Sequence, residues 1–145
     1  MKIITICGSM KFAPQMTSAQ KKLQDKGFQV SLPDQAEEYI ENTSLKDAVS
    51  LGAISAERKI KHDFIRKHYN QIAKSDAILV LNYDKNGIEN YIGGNTFLEM
   101  GFAYILGKKI YTLHPLPEGL PIYYQELVAM QPIVLSGDLS AITEK

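Results

Sequence analysis

Short apolar runs alternate with segments whose apolar residues recur every three or four positions. Lys2–Cys7 (KIITIC) is β-branched and almost continuously apolar, as a strand buried on both faces would be. Gly8-Ser9 ends it. From Pro14 to Lys26 the spacing of Met16, Ala19, Gln20 and Leu23 predicts a helix stopped by Gly27. Phe28–Leu32 alternates apolar and polar residues, the pattern of a second strand closed by Pro33. Asp34–Ser55 is polar and acidic at first, then mildly apolar, and predicts a loop with short helical turns that can act as a flap.

The second half repeats this alternation. Over Ala56–Lys74, the residues Ile60, Phe64, His68 and Ile72 fall on one helical face. Ala77–Asn82 (AILVLN) is too brief for a helix and predicts a third, buried strand. A Gly- and Asn-rich loop, 83–94, leads to a helix over Thr96–Leu106, closed by Gly107. Lys109–Leu113 and Pro132–Leu135 predict strands four and five, with a Pro-rich turn and a short helix near Ile122–Met130 between them. Strands alternating with helices imply right-handed parallel βαβ units. The expectation is an α/β fold: one doubly wound domain over residues 1–145, with a five-stranded, mostly parallel sheet ordered 2-1-3-4-5. Ligands in such sheets bind at the carboxyl ends of the strands.

Composition narrows the function classes. Lys and Arg together number 16, equal to Asp and Glu, so the formal net charge is zero. That balance lacks the basic footprint of a general nucleic-acid binder, while a local phosphate pocket needs only a few aimed donors. Cys7 is the sole cysteine, so no intramolecular disulfide can form, which fits a reducing compartment. No apolar run approaches the roughly 20 residues that span a bilayer, and the N-terminus lacks signal-peptide features. A cytoplasmic location and no membrane partner are the expectation.

The candidate chemistry sits at the predicted strand ends. In Gly8-Ser9-Met10, a glycine permits close backbone approach and Ser9 can donate to an anion or a sugar hydroxyl. An ordinary βα turn explains the same residues. Gly93-Gly94-Asn95 precedes a helix whose first N–H groups can face a polar ligand. Glu99, read as lying in that helix's first turn, is suited to act as a carboxylate nucleophile. Thr96-x-x-Glu99 also fits a capping box, which spacing alone favours. His68 on its apolar stripe is by itself a core residue, and Asp63 and Arg66 are spaced to pair on the surface beside His62. Asp76 is expected to cap or end a turn, and His114 to serve one. Ser9, His68 and Glu99 could form a Ser-His-acid set, although GxSxG is absent. Histidine spacing and a single cysteine give no metal centre, and no cofactor is expected.

The ordered set of Cys7-Gly8-Ser9, Ser75-Asp76-Ala77-Ile78-Leu79-Val80, Gly93 to Glu99-Met100-Gly101-Phe102-Ala103 and Gly107-Lys108-Lys109-Ile110 resembles the nucleoside 2-deoxyribosyltransferase family. Its close relatives include the 2'-deoxynucleoside 5'-monophosphate N-glycosidases. The similarity covers the first strand and about the central third of the chain. It implies a flavodoxin-like (Rossmann-like) fold and a homodimer or higher homo-oligomer. It further implies that Glu99 attacks the anomeric carbon of a nucleoside or nucleotide to form a glycosyl ester, by the logic of retaining glycosidases. By the same resemblance Gly8, Ser9 and Met10, with Gly93, Gly94 and Asn95, line sugar or phosphate. The shared Cys-Gly-Ser turn favours hydrolysis over transfer. One departure stands out: where the family carries an aspartate before the third strand, this chain has His68. Asn70 and Asp63 face away from that stripe. His68 could serve as assisting acid or orienter, or its presence could mark a nucleotide-binding sensor or regulatory module without turnover. A purely structural role is disfavoured by two glycine-bearing loops converging at the strand ends.

Overall fold

The structure is a computed structural model that describes residues 2–34, 36, 60 and 63–143. In chain order its elements are β1 (Ile3–Gly8), α1 (Ala13–Asp25), β2 (Gln29–Ser31), α2 (Phe64–Lys74), β3 (Ala77–Leu81), α3 (Gly94–Ile105), β4 (Lys109–Thr112), α4 (Tyr124–Ala129) and β5 (Ile133–Val134), with short 3-10 turns at Met10–Phe12 and Leu139–Ala141. The sheet order is β2-β1-β3-β4-β5, and every pairing is parallel. The fold is therefore the flavodoxin-like α/β arrangement, with a sheet more uniform than the mostly parallel one expected.

The apolar runs are continuous because the central strands are covered on both faces. Along β3, Ala77, Leu79 and Leu81 join the core under α1, while Ile78 and Val80 join the core under α2, α3 and α4. In β1, Ile4 and Ile6 face α1, whereas Cys7 faces the other way. That parity decides which β1 side chains can meet α2. Thr5 follows it, its Oγ1 lying 2.5 Å from Ser75 Oγ at the end of α2. Gly8 closes β1 opposite Leu81 with φ +155°, and a Cβ there would stand 3.0 Å from the Leu81 carbonyl oxygen. Close strand packing, as much as any ligand, requires this glycine.

Two expectations are corrected. The apolar stripe begins at Phe64: Asp63 has left-handed dihedrals (φ 52°, ψ 41°), and Ile60 is 80% exposed. Aspartate tolerates that conformation better than most residues, so the helical phase is reset there. The fifth strand is a two-residue edge, Ile133–Val134, with both residues exposed. Of the predicted flap over 34–55, only Asp34 and Ala36 lie among the described residues, and His62 lies outside them. Among the described residues, no helix is long and apolar enough to cross a membrane.

Candidate active site

Glu99 is set by where α3 starts. The Phe97 N–H donates to the Gly93 carbonyl at 2.8 Å, so Gly93 is the N-cap and Gly94 the first helical residue. Thr96 is thus inside the helix and buried, with no side-chain cap bond at this terminus. The capping box does not form, and Glu99 falls in the second turn rather than the first. The glycine pair begins the helix earlier than the Thr-x-x-Glu signature implies. Turned inward, Glu99 is 3% exposed, and its Oε2 contacts Nδ1 of His68, itself 7% exposed.

His68 reaches Glu99 because it shares the buried face of α2 with Phe64 and Ile72. On the far side of its ring, Nε2 lies 3.9 Å from Cys7 Sγ. Burial lowers the His68 pKa from its ordinary 6.5 to about 4, against an opposing hydrogen bond with the Ile6 backbone. The imidazole is therefore neutral at pH 7 and carries a single N–H; in the tautomer with that proton on Nδ1 it donates to Glu99 Oε2. Glu99 Oε1 is buried with no hydrogen-bond partner among the described residues. One oxygen is anchored; the other is free.

Cys7, His68 and Glu99 thus form a series from three elements that resembles a thiol–imidazole–carboxylate triad. Burial pushes the Cys7 thiol strongly up, so the thiolate a nucleophile or metal ligand needs is suppressed. The three ligand-type atoms do lie within 4.8 Å of one another, a grouping that spacing along the chain could not reveal. A metal there would have to ionise Cys7 and displace the His68–Glu99 contact, so the residues fit a hydrogen-bonded series better than a metal centre. The Ser9 version of a triad is not assembled. The Ser9 hydroxyl instead meets Lys85 Nζ at 2.8 Å.

The other expected residues divide by location. Met10, His68 and Asn95 line one small pocket with Pro33, Asp34 and Lys67. Gly93 leaves room for the Tyr91 ring, whose hydroxyl would stand 2.9 Å from an added Cβ. Gly94 instead opens onto a groove of about 730 Å³ on the outer side of α3, lined by residues including Tyr69, Phe97, Phe102, Ile105 and Met130. That groove is larger, but it holds no paired titratable groups. Glu99 sits on the buried face of the same helix, away from that groove.

Among the remaining polar residues, Asp63 pairs with Arg66 at 2.9 Å, as the spacing implies. Asp76 Oδ2 accepts the N–H groups of Lys2 and Ile3, each at 2.9 Å, and these bonds hold its carboxyl below the usual range. The His114 N–H donates to Asn82 Oδ1, and Asn82 Nδ2 donates back to the carbonyls of His114 and Pro115. Asn82 and Lys85 were not singled out from sequence. A buried amide ending an apolar run, and a lysine beside an Asn-Gly pair, were the available signals.

No protein-family model matches this sequence, and neither does any curated protein. Among solved structures, the CMP N-glycosidase BcmB of Clostridium botulinum matches over 92% of this chain and 85% of its own, at 18% identity and a TM-score of 0.45. A likeness so distant carries no weight below.

Proposed function

We propose that this protein cleaves the N-glycosidic bond of a nucleoside or nucleotide, with Glu99 as nucleophile. The observation carrying this reading is the asymmetry of the Glu99 carboxylate: Oε2 is held by His68, while Oε1 is buried and has no partner among the described residues. Anchoring one oxygen fixes the direction of the other, which lowers the orientational cost of attack. In the first step Oε1 bonds to the anomeric carbon as the carbon–nitrogen bond breaks, and the base leaves with the bonding electrons and takes a proton from water. Water then hydrolyses the glycosyl ester, returning the Glu99 carboxylate and releasing the free sugar. His68, neutral near pH 7, acts as an orienter of Glu99; its lowered pKa argues against a resting imidazolium acid. Met10 and Asn95 flank His68 in a pocket of only about 10 Å³, which has to widen to admit a sugar.

A second reading has its own support. Glu99 is nearly sealed and already engaged, and His68 stands where the resembling family has an aspartate. Those features suit a nucleotide-binding module without turnover. The deciding experiment is chromatographic detection of free base from a panel of nucleosides and 5'-monophosphates, with Glu99→Gln as control. Release that disappears in Glu99→Gln supports the enzyme. Intact nucleotides bound by the folded protein support the sensor.

A further inference from the structure

Cys7 is sealed beneath the site at the end of β1, yet the reaction proposed above gives it no part. Its side chain is wholly buried, and among the described residues its sulfur has one hydrogen-bond partner, His68. Cys7 Sγ lies 3.9 Å from Nε2 of that ring, while Nδ1 contacts Glu99 Oε2. The thiol and the carboxylate therefore hold opposite edges of one imidazole.

The count of protons fixes the direction of both contacts. A neutral imidazole has one N–H donor and one lone-pair acceptor, and an ionised carboxylate only accepts. Burial keeps the Cys7 thiol protonated, so it has an S–H to donate. An S–H donated to Nε2 leaves the ring proton on Nδ1, where Glu99 Oε2 accepts it. The other tautomer suits neither neighbour: an Nε2–H would face the thiol, and the Nδ1 lone pair would face a carboxylate oxygen. The Ile6 backbone pulls against this arrangement. Its hydrogen bond favours the protonated ring, so it acts as an acceptor, and with Nδ1 taken by Glu99 its pull falls on Nε2. An isolated imidazole also prefers its proton on Nε2. Without the thiol, both preferences draw the proton away from Glu99.

We propose that Cys7 is a positioning residue, whose S–H donates to Nε2 of His68 and keeps the ring proton on Nδ1, where it anchors Glu99. The hydrogen bond at one ring nitrogen thus decides what the other offers. The consequence for catalysis rests on the proposed function above, whereas the tautomer does not. With the proton moved to Nε2, Glu99 loses its anchor and Oε1 its fixed direction.

The test is long-range proton–nitrogen correlation NMR of the full chain at pH 7, which separates a protonated ring nitrogen from one with a lone pair. Signals absent from His68→Asn identify the ring. Wild type should show Nδ1 protonated and Nε2 bare. Cys7→Ala should move the proton to Nε2, and Cys7→Ser, which keeps a donor, should restore the wild-type pattern. Cys7→Val has no donor but fills more of the space, so it should match Cys7→Ala and replaces it if alanine's cavity unfolds the chain. Packing alone would instead make valine resemble wild type. In the base-release assay the donorless variants should lower kcat by about tenfold or more with KM little changed, and Cys7→Ser should recover most of the loss. A wild-type ring protonated on Nε2, or one tautomer shared by wild type and the donorless variants, overturns the proposal. So does an unchanged kcat after the proton has moved. The predicted tautomers in a chain that releases no base support the anchoring of Glu99 and remove only the glycosidase reading.

Discussion

The buried imidazole makes a prediction about stability that needs no substrate. An ordinary histidine titrates at 6.5, and burial holds His68 at about 4 in the folded protein. Between those values the unfolded chain binds a proton that the folded chain does not, so stability rises with pH across the window. The slope approaches 1.4 kcal/mol per pH unit, and the full span is worth about 3 kcal/mol. The contribution is complete above pH 6.5, is lost as pH falls toward 4, and is flat below. A loss of that size is a large fraction of the roughly 5–15 kcal/mol that stabilises a domain. The comparison variant is His68→Asn, which keeps an N–H donor for Glu99 but cannot titrate. Urea unfolding of both proteins, followed by far-UV circular dichroism from pH 7.5 to 4, gives two stability curves. The variant starts lower because its side chain is smaller, so slopes are compared rather than levels. Parallel curves between pH 6.5 and 4 would refute the claim that burial holds the His68 imidazole neutral.

Three further substitutions probe the elements that carry the site. Glu99→Gln should abolish base release while the protein still folds, as read by chromatography and circular dichroism on the same sample. Gly8→Ala places a Cβ 3.0 Å from the Leu81 carbonyl and 3.2 Å from Met16 Cε. It should destabilise by about 1–3 kcal/mol in urea unfolding. Asn82→Ala removes bonds to the His114 N–H and to two carbonyls, leaving buried polar groups unsatisfied. The expected loss is about 2–3 kcal/mol, and raised hydrogen exchange at the His114 amide would locate it.

Strand existence and order were legible because a sheet covered on both faces writes itself as unbroken apolar runs, and β1 and β3 are such runs. The second helix was legible only in part. Its stripe extended to Ile60 on paper, but the chain turns left-handed at Asp63, a conformational choice that periodicity cannot register. Glu99 and His68 were each identifiable as residue types, yet their contact belongs to neither local pattern. It arises where α2 and α3 pack on the same side of the sheet, and Cys7 joins them through the side-chain parity of β1. Lys85 was illegible for a different reason. A lysine in a polar loop is normally a solvated charge, and only the fold brings Ser9 and the Tyr91 ring to it.

The capping box shows why local signals and function can point at the same residue with opposite meanings. Had α3 begun at Thr96, Glu99 would have faced its own backbone and satisfied a helix end. Gly93 and Gly94 start the helix earlier, which carries Glu99 round to the buried face and deprives it of that partner. A carboxylate retained only for structure would have both oxygens satisfied, because each buried polar atom left bare costs about 1–3 kcal/mol. Among the described residues Gln71 Oε1 and Thr112 Oγ1 are also buried without a partner, but each belongs to a neutral side chain. Glu99 instead leaves an oxygen of an ionisable group without a partner among the described residues, beside a histidine that contacts its other oxygen. Local rules are broken with least compensation where a site needs a reactive atom, and the nucleophilic role proposed for Glu99 accounts for its bare Oε1 in those terms.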